Sequence, residues 1–159
     1  MVDIWVTSDT HFNHNNIIKY CNRPFEDYKH MNEVLIQNWN ACVKPQDKIY
    51  HLGDFYIGKS ATEILSRLNG HKRLILGNHD NGKDQSLQRY FEKIEMWRMF
   101  PEFKLMLTHV PIHEGSFRHK CELNVHGHTH DKGSPEGPYK CVCVELTNYK
   151  PVNIEELRL

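Results

Sequence analysis

The stretch LILGNHDNGKD, Leu74 to Asp84, decides how the chain is read. A short apolar run breaks into glycine, amide, imidazole and carboxylate. Such a run closed by Gly reads as a buried strand, and GNHD behind it is either a turn or a site. The residues upstream supply the frame. SATEILSRLNG (60–70) has a serine at its start, an Ile64–Leu65–Leu68 stripe and a closing Asn-Gly, the signals of a helix. DKIYHLG (47–53) reads as a second buried strand. From Asp27 to Val43, Met31, Val34, Leu35, Trp39 and Cys42 recur at threes and fours, which predicts an amphipathic helix ended by KPQD. DIWVTS (3–8) is a further strand rich in β-formers. Strand, helix, strand, helix, strand calls for a largely parallel sheet with covering helices.

Beyond residue 100 the pattern changes. EFKLMLTH, CELNVHGH and YKCVCVELTNYKPVNI predict further strands with little helix, and DKGSPEGP (131–138) reads as a hairpin-like loop. No linker or repeat interrupts the 159 residues, so a single domain over 1–159 is expected.

Composition excludes some classes. Twenty basic and twenty acidic residues cancel, so no global charge draws the chain to nucleic acid or an anionic membrane. No apolar run approaches the roughly 20 residues that span a bilayer, and MVDIWVTSDTHF lacks the pattern of a signal peptide. Five cysteines without framework spacing fit a reducing compartment, so a cytoplasmic protein is expected. Histidine is the outlier at twelve residues, several beside Asp, Asn or Gly. Histidine is both a common metal ligand and a near-neutral acid or base.

The clusters SDTH, GD, GNHD, TH and GHTH each follow an apolar strand-like run, and ligands of α/β sheets bind at the carboxyl ends of strands. Taken singly most have a bland reading: Asp9 and His11 as a surface loop, Asp54 as a turn residue, His109 as a strand-end histidine. His128 and His130, two apart, are a stronger metal signal. Together they make two carboxylates, four histidines and the Asn78 amide. Oxygen and imidazole ligands without thiolate suit Mn²⁺, Fe or Zn²⁺. Seven ligands exceed what one ion takes but suffice for two ions sharing a carboxylate, spaced ~3.5–4 Å in two-metal hydrolases.

This succession of motifs resembles the calcineurin-like metallophosphoesterase superfamily, from Ile4 to Leu159. NYKPVNIEEL is similar to the C-terminal segment of small bacterial and phage members, and DTHFNHNNIIKYCNRPF to one compact branch. The resemblance implies a four-layer αββα sandwich, two mixed sheets flanked by helices. It implies Asp9, His11, Asp54 and His130 at a first metal, and Asp54, Asn78, His109 and His128 at a second, with Asp54 bridging. His79 would protonate the leaving oxygen and Asp80 would orient its imidazole. The cofactors implied are two divalent ions, Mn²⁺ foremost, with Fe, Zn²⁺ or Ni²⁺ as substitutes.

The activity expected is phosphodiester hydrolysis of a small or cyclic nucleotide by a hydroxide shared between the ions. Behind it stand a phosphomonoesterase or dinucleotide-polyphosphate hydrolase, and last a nuclease or a scaffold without catalysis. The partner expected is a small phosphodiester, with no strong nucleic-acid surface and no membrane; the oligomeric state is left open. His14, three residues past His11 where the branch usually reads Gly-His, is expected to face substrate phosphate, and Arg23 in CNRPF reads either as a phosphate contact, since a guanidinium matches phosphate geometry, or as a structural salt bridge. His51 and His126, inside apolar strands, read as core or supporting residues, His30, His71 and His119 as surface, and Cys141 and Cys143 as buried core.

Overall fold

The computed structural model describes residues 2–158. Its strands are β1 (Ile4–Thr7), β2 (Lys48–His51), β3 (His71–Ile75), β4 (Phe91–Glu95), β5 (Arg98–Phe100), β6 (Leu105–Thr108), β7 (Leu123–His126), β8 (Tyr139–Cys141) and β9 (Val152–Asn153). The helices are α1 (Asn15–Tyr20), α2 (Tyr28–Cys42), α3 (Thr62–Arg67), α4 (Gln85–Tyr90) and α5 (Ile154–Leu157).

The strands form two mixed sheets, β4-β3-β2-β1-β9 and β5-β6-β7-β8. In the first, β1 to β4 are parallel and β9 is antiparallel; in the second, β6 to β8 are parallel and β5 is antiparallel. A parallel bridge between Ser8 and Cys143, just past β1 and β8, sets the two sheets in the same direction where they meet. The carboxyl ends of both parallel sets therefore open on one rim.

Val6, Tyr50 and Ile75 of the first sheet, with Leu52 just past β2, pack against Leu105, Leu107 and Val125 of the second, with Val142 just past β8, to make the central core. The outer face of the first sheet carries Ile49 and Leu74 against α2, α3 and α4, with Trp39 and Leu65 buried there. Each side chain so buried contributes ~1.5–3 kcal/mol of transfer free energy. On the outer face of the second sheet, Met106 packs against Phe117 and Cys121 of a segment containing a 3₁₀ turn at Glu114–Ser116. The family-type sandwich is complete, but this fourth layer is thin.

The helix expected over 27–43 is α2, capped by the Asp27 carboxylate, which accepts the His30 N–H at 2.8 Å. Asp84, the last residue of LILGNHDNGKD, caps α4 by accepting the Ser86 and Leu87 N–H groups. One reading needs correction. DKGSPEGP is not a hairpin loop: β7 and β8 are parallel, and two parallel strands need a crossover rather than a tight turn. YKCVCVELTNYKPVNI, expected to be strand, holds β8, a 3₁₀ turn at Val144–Leu146, and β9. Residues 85–100, where no element was anticipated, hold α4, β4 and β5. Among the described residues no helix is long and apolar enough to cross a membrane.

Candidate metal centre

The residues following β1, β2, β3, β6 and β7 meet on the common rim. Short backbone bonds knit them: Asp9 N–H to the Gly53 carbonyl at 3.0 Å, His11 N–H to Asp54 at 3.1 Å, and Gly127 N–H to His109 at 2.8 Å. Asp9, His11, Asp54, His128 and His130 all have positive φ, between 51° and 73°. Such conformations are costly away from glycine and persist where surroundings impose them, often at functional sites. Close approach is imposed too. A Cβ on Gly53 would stand 2.6 Å from the Gly77 backbone and 2.7 Å from His109 Nδ1, and one on Gly127 would collide with Ser8 and Asp9.

Both carboxylates are divided between two tasks. Asp9 Oδ2 accepts the His128 N–H at 2.8 Å and the Ser8 hydroxyl, so it ties the second sheet to the first. Asp54 Oδ1 accepts the His79 N–H at 2.9 Å. The other oxygen of each points into the cluster. Asp9 Oδ1 lies 3.7 Å from His11 Nε2 and 3.7 Å from His130 Nε2. Asp54 Oδ2 lies 3.6 Å from His11 Nε2 and 3.5 Å from His109 Nε2, so one oxygen serves both groups. Asp9, His11 and His130 thus converge as one set, Asp54, His109 and His128 as another.

The tautomers follow from outer partners. His109 Nδ1 lies 2.7 Å from the Leu52 carbonyl, which can only accept, so Nδ1 carries the proton. Its Nε2 lone pair then faces Asn78 Oδ1 at 2.8 Å, His128 Nδ1 at 3.2 Å and Asp54 Oδ2. His130 Nδ1 likewise meets Glu145 Oε2 at 2.9 Å, turning Nε2 toward Asp9. Electron pairs are aimed at electron pairs, and buried Asp9 Oδ1 and His11 Nε2 have no hydrogen-bond partner among the described residues. A cation resolves that conflict. Bonds of roughly 2.0–2.2 Å from one ion leave its ligands about 3.0–3.5 Å apart, close to the separations found. The residues fit two divalent ions.

Burial pushes the Asp9 carboxyl up, yet His11, the charge of His109 and the Ser8 hydroxyl hold it down at about 2. Asp54 is held lower still: burial opposes, but His109, His11 and the His79 N–H prevail. Burial would lower His11 and His109, but the two carboxylates raise both. His14 is lowered by burial and by neighbouring His11 and His79; its Nδ1 lies 3.2 Å from His11 Nδ1.

The role expected of Asp80 does not survive, and of the two readings of Arg23 the structural salt bridge is the one found. Asp80 does not reach the His79 imidazole: Oδ2 accepts the Asp54 and Gly77 N–H groups, both at 2.8 Å, and Oδ1 that of Phe55 at 3.0 Å. It fastens the GNHD turn to the Asp54 turn. Arg23 does not face substrate, because its guanidinium is buried on the Asp9 and Thr10 carbonyls, both at 2.7 Å, and on Glu145. His79 itself is exposed, its ring edge-on to His11 with centroids 5.8 Å apart.

Glu145, which holds His130 and is pinned by Arg23 at 2.8 Å, was not anticipated. An acidic residue in the apolar run CVCVEL was its only signal. His51 and His126 are fully buried with both ring nitrogens bonded, His51 to the Thr10 hydroxyl and the Gly53 N–H.

The profile of the calcineurin-like phosphoesterase superfamily domain matches residues 2–142. The chain belongs to that superfamily. An uncharacterized protein of Methanocaldococcus jannaschii is 40% identical over 98% of this chain and 89% of its own length. The gene 66 protein of Mycobacterium phage L5 is 26% identical over 82% of this chain and 78% of its own. A crystal structure of a protein of unknown function from Aquifex aeolicus superposes with a TM-score of 0.80 at 30% identity, covering 99% and 98% of the two chains. Membership in this superfamily carries metal-dependent hydrolysis of phosphoric esters, and the converging His and Asp groups are the candidate metal sites.

Proposed function

We propose that this superfamily member is a dinuclear phosphodiesterase acting on a small or cyclic nucleotide, with Mn²⁺ as its preferred ion. The observation that carries the reading is the single oxygen, Asp54 Oδ2, facing two sets of inward lone pairs. Asp9, His11, Asp54 and His130 would hold one ion; Asp54, Asn78, His109 and His128 the other. An all-nitrogen and oxygen ligand set suits Mn²⁺. Bound there, the ions supply an activated water and neutralise charge on the phosphoryl oxygens.

The chain's own residues do the remainder. Leu52 and Glu145 fix the tautomers of His109 and His130. Asp80 locks Asn78 and His79 beside Asp54. His79, exposed at the margin, delivers a proton to the departing alkoxide, a contribution of ~10²–10⁴-fold. His14 lies beside His11 where a phosphoryl oxygen would enter. Clefts flank the Gly77–Asp80 turn on both sides, one of about 820 Å³ and one of about 550 Å³. A diester has two arms to seat and a monoester only one, which favours the diester.

The test is to strip the protein with chelator, restore Mn²⁺, and assay a nucleotide diester against its monoester. Faster turnover of the diester is expected; exclusive monoester hydrolysis would make it a phosphomonoesterase, and no hydrolysis of either would sink both. In the same assay His79→Ala should keep its metal and lose ~10²–10⁴-fold on alkyl diesters while sparing activated aryl diesters. Equal losses on both would remove His79 as the leaving-group acid.

A further inference from the structure

Between β4 and β5 the chain exposes two large apolar side chains, Met96 at 66% and Trp97 at 60%. The topology puts them beside the metal cluster. β4 is parallel to β3 with Glu95 opposite Ile75, so the turn after Glu95 leaves the sheet where Leu76 to Asn78 do. β5 is antiparallel to β6 with Arg98 opposite Leu107, so the same turn adjoins Thr108 and His109. The result is the cleft of about 550 Å³, walled by Met96, Trp97, Val110 and Ile112 and reaching Asn78 and His109.

Its walls offer contact rather than hydrogen bonds. The Thr108 hydroxyl is committed to the Val110 carbonyl at 2.6 Å. A flat apolar ring fits such a surface, because an indole offers stacking that every nucleobase satisfies. The cleft across the GNHD turn is different in kind. It is lined by Lys59, Ser60, Gln85 and Arg89, and it contains His79, which the apolar cleft does not. A proton donor on the polar side serves an oxygen leaving on the polar side.

We infer that Trp97 and Met96 form the subsite for a nucleobase on the arm that keeps the phosphate, stacked on the indole without selection among bases. The departing alcohol is the hydrophilic arm, seated by Lys59 and Arg89. In the step, a water that has released one proton to solvent bonds through its oxygen to phosphorus, as the bond to the hydrophilic arm's oxygen breaks and its electron pair leaves with that oxygen. The departing oxygen takes its proton from His79, to which solvent returns one afterwards, and the products are a nucleoside monophosphate and a free alcohol. This rests on the phosphodiesterase reading.

The test compares two diesters with the same leaving group, a nucleoside 5′-phosphate esterified to glycerol and its counterpart lacking the base. With Mn²⁺ restored, kcat/KM should favour the base-bearing diester by about 10-fold or more. The four bases should lie close together, and the products should be nucleoside monophosphate and glycerol. The preference should collapse toward one in Trp97→Ala and largely persist in Trp97→Phe. A second readout needs no turnover. Trp5 is half-buried and Trp39 buried, so fluorescence of exposed Trp97 should be quenched by nucleoside 5′-monophosphate, not by ribose 5-phosphate, and the response should vanish in Trp97→Phe.

Hydrolysis of both diesters at equal rates with no quenching would overturn the subsite and leave the phosphodiesterase standing. Glycerol phosphate as product would reverse the arms. Failure to hydrolyse either diester would count against the phosphodiesterase, and quenching alone would then decide the subsite. A preference unchanged in Trp97→Ala, with an oligomer lost on gel filtration, would reassign the patch to self-association.

Discussion

The two ligand groups around Asp54 are built to different standards of support. In the first, Asp9 and His11 are buried, and His130 is turned inward by Glu145, a carboxylate itself clamped by Arg23. In the second, Asn78 and His128 are exposed, and His109 is oriented by the neutral Leu52 carbonyl. A charged partner raises the basicity of a ligand imidazole more than a carbonyl does. The first group should therefore take its ion more tightly, and chelation should empty the second group first.

The largest expected effect tests what the groups share. Asp54→Asn removes the oxygen that faces both, so metal analysis after Mn²⁺ loading should find little of either ion, with activity down roughly a thousandfold or more. A variant that keeps two ions per chain would break the bridging assignment.

A smaller effect tests what the groups do not share. Glu145→Gln keeps the size and an acceptor for His130 but loses the charge. It should weaken the first ion by ~10–100-fold and leave the second alone, as read by metal titration. Equal weakening of both would dissolve the contrast between the groups.

The smallest concerns the footing of the first group. His51 holds the Thr10 hydroxyl, between Asp9 and His11, and burial pushes its pKa down to about 3. A depressed pKa means the unfolded chain binds the proton more readily. His51 thus stabilises the fold fully above about pH 6.5 and progressively less as pH falls toward 3, with a slope of at most ~1.4 kcal/mol per pH unit. Urea unfolding of chelated protein from pH 7.5 to 4.5 should show that slope, and His51→Gln should flatten it. An unchanged slope would clear His51 of the acid sensitivity.

The same contrast runs through what could be read in the sequence. Ligand residues that end parallel strands were legible, because apolar runs such as LILG and KLMLT mark the strands and polar clusters mark their ends. The support behind them was not. Arg23 and Asp80 act through backbone groups distant in sequence, which no local pattern records. Glu145 lies between the short elements β8 and β9, in a 3₁₀ turn that no sequence signal marks. The edge strand β4 was hidden because Glu92 and Lys93 face solvent and break the apolar run. The parallel pairing of β7 and β8 was hidden because glycine and proline in 131–138 suit a turn as well as a crossover.

The rim draws Asp9, His11, Asp54 and Asn78 from one sheet and His109, His128 and His130 from the other, while Ser8–Cys143 is the bridge where the sheets touch. Ions bound at that seam would work as a clasp as well as a reagent. Their grip on the folded state would grow as RT ln(1 + [M]/Kd). Metal supply would then govern how long the molecule lasts as well as how fast it turns over. A chain starved of its ions would loosen along the seam, leaving the helix-backed face of the first sheet as the part that holds longest.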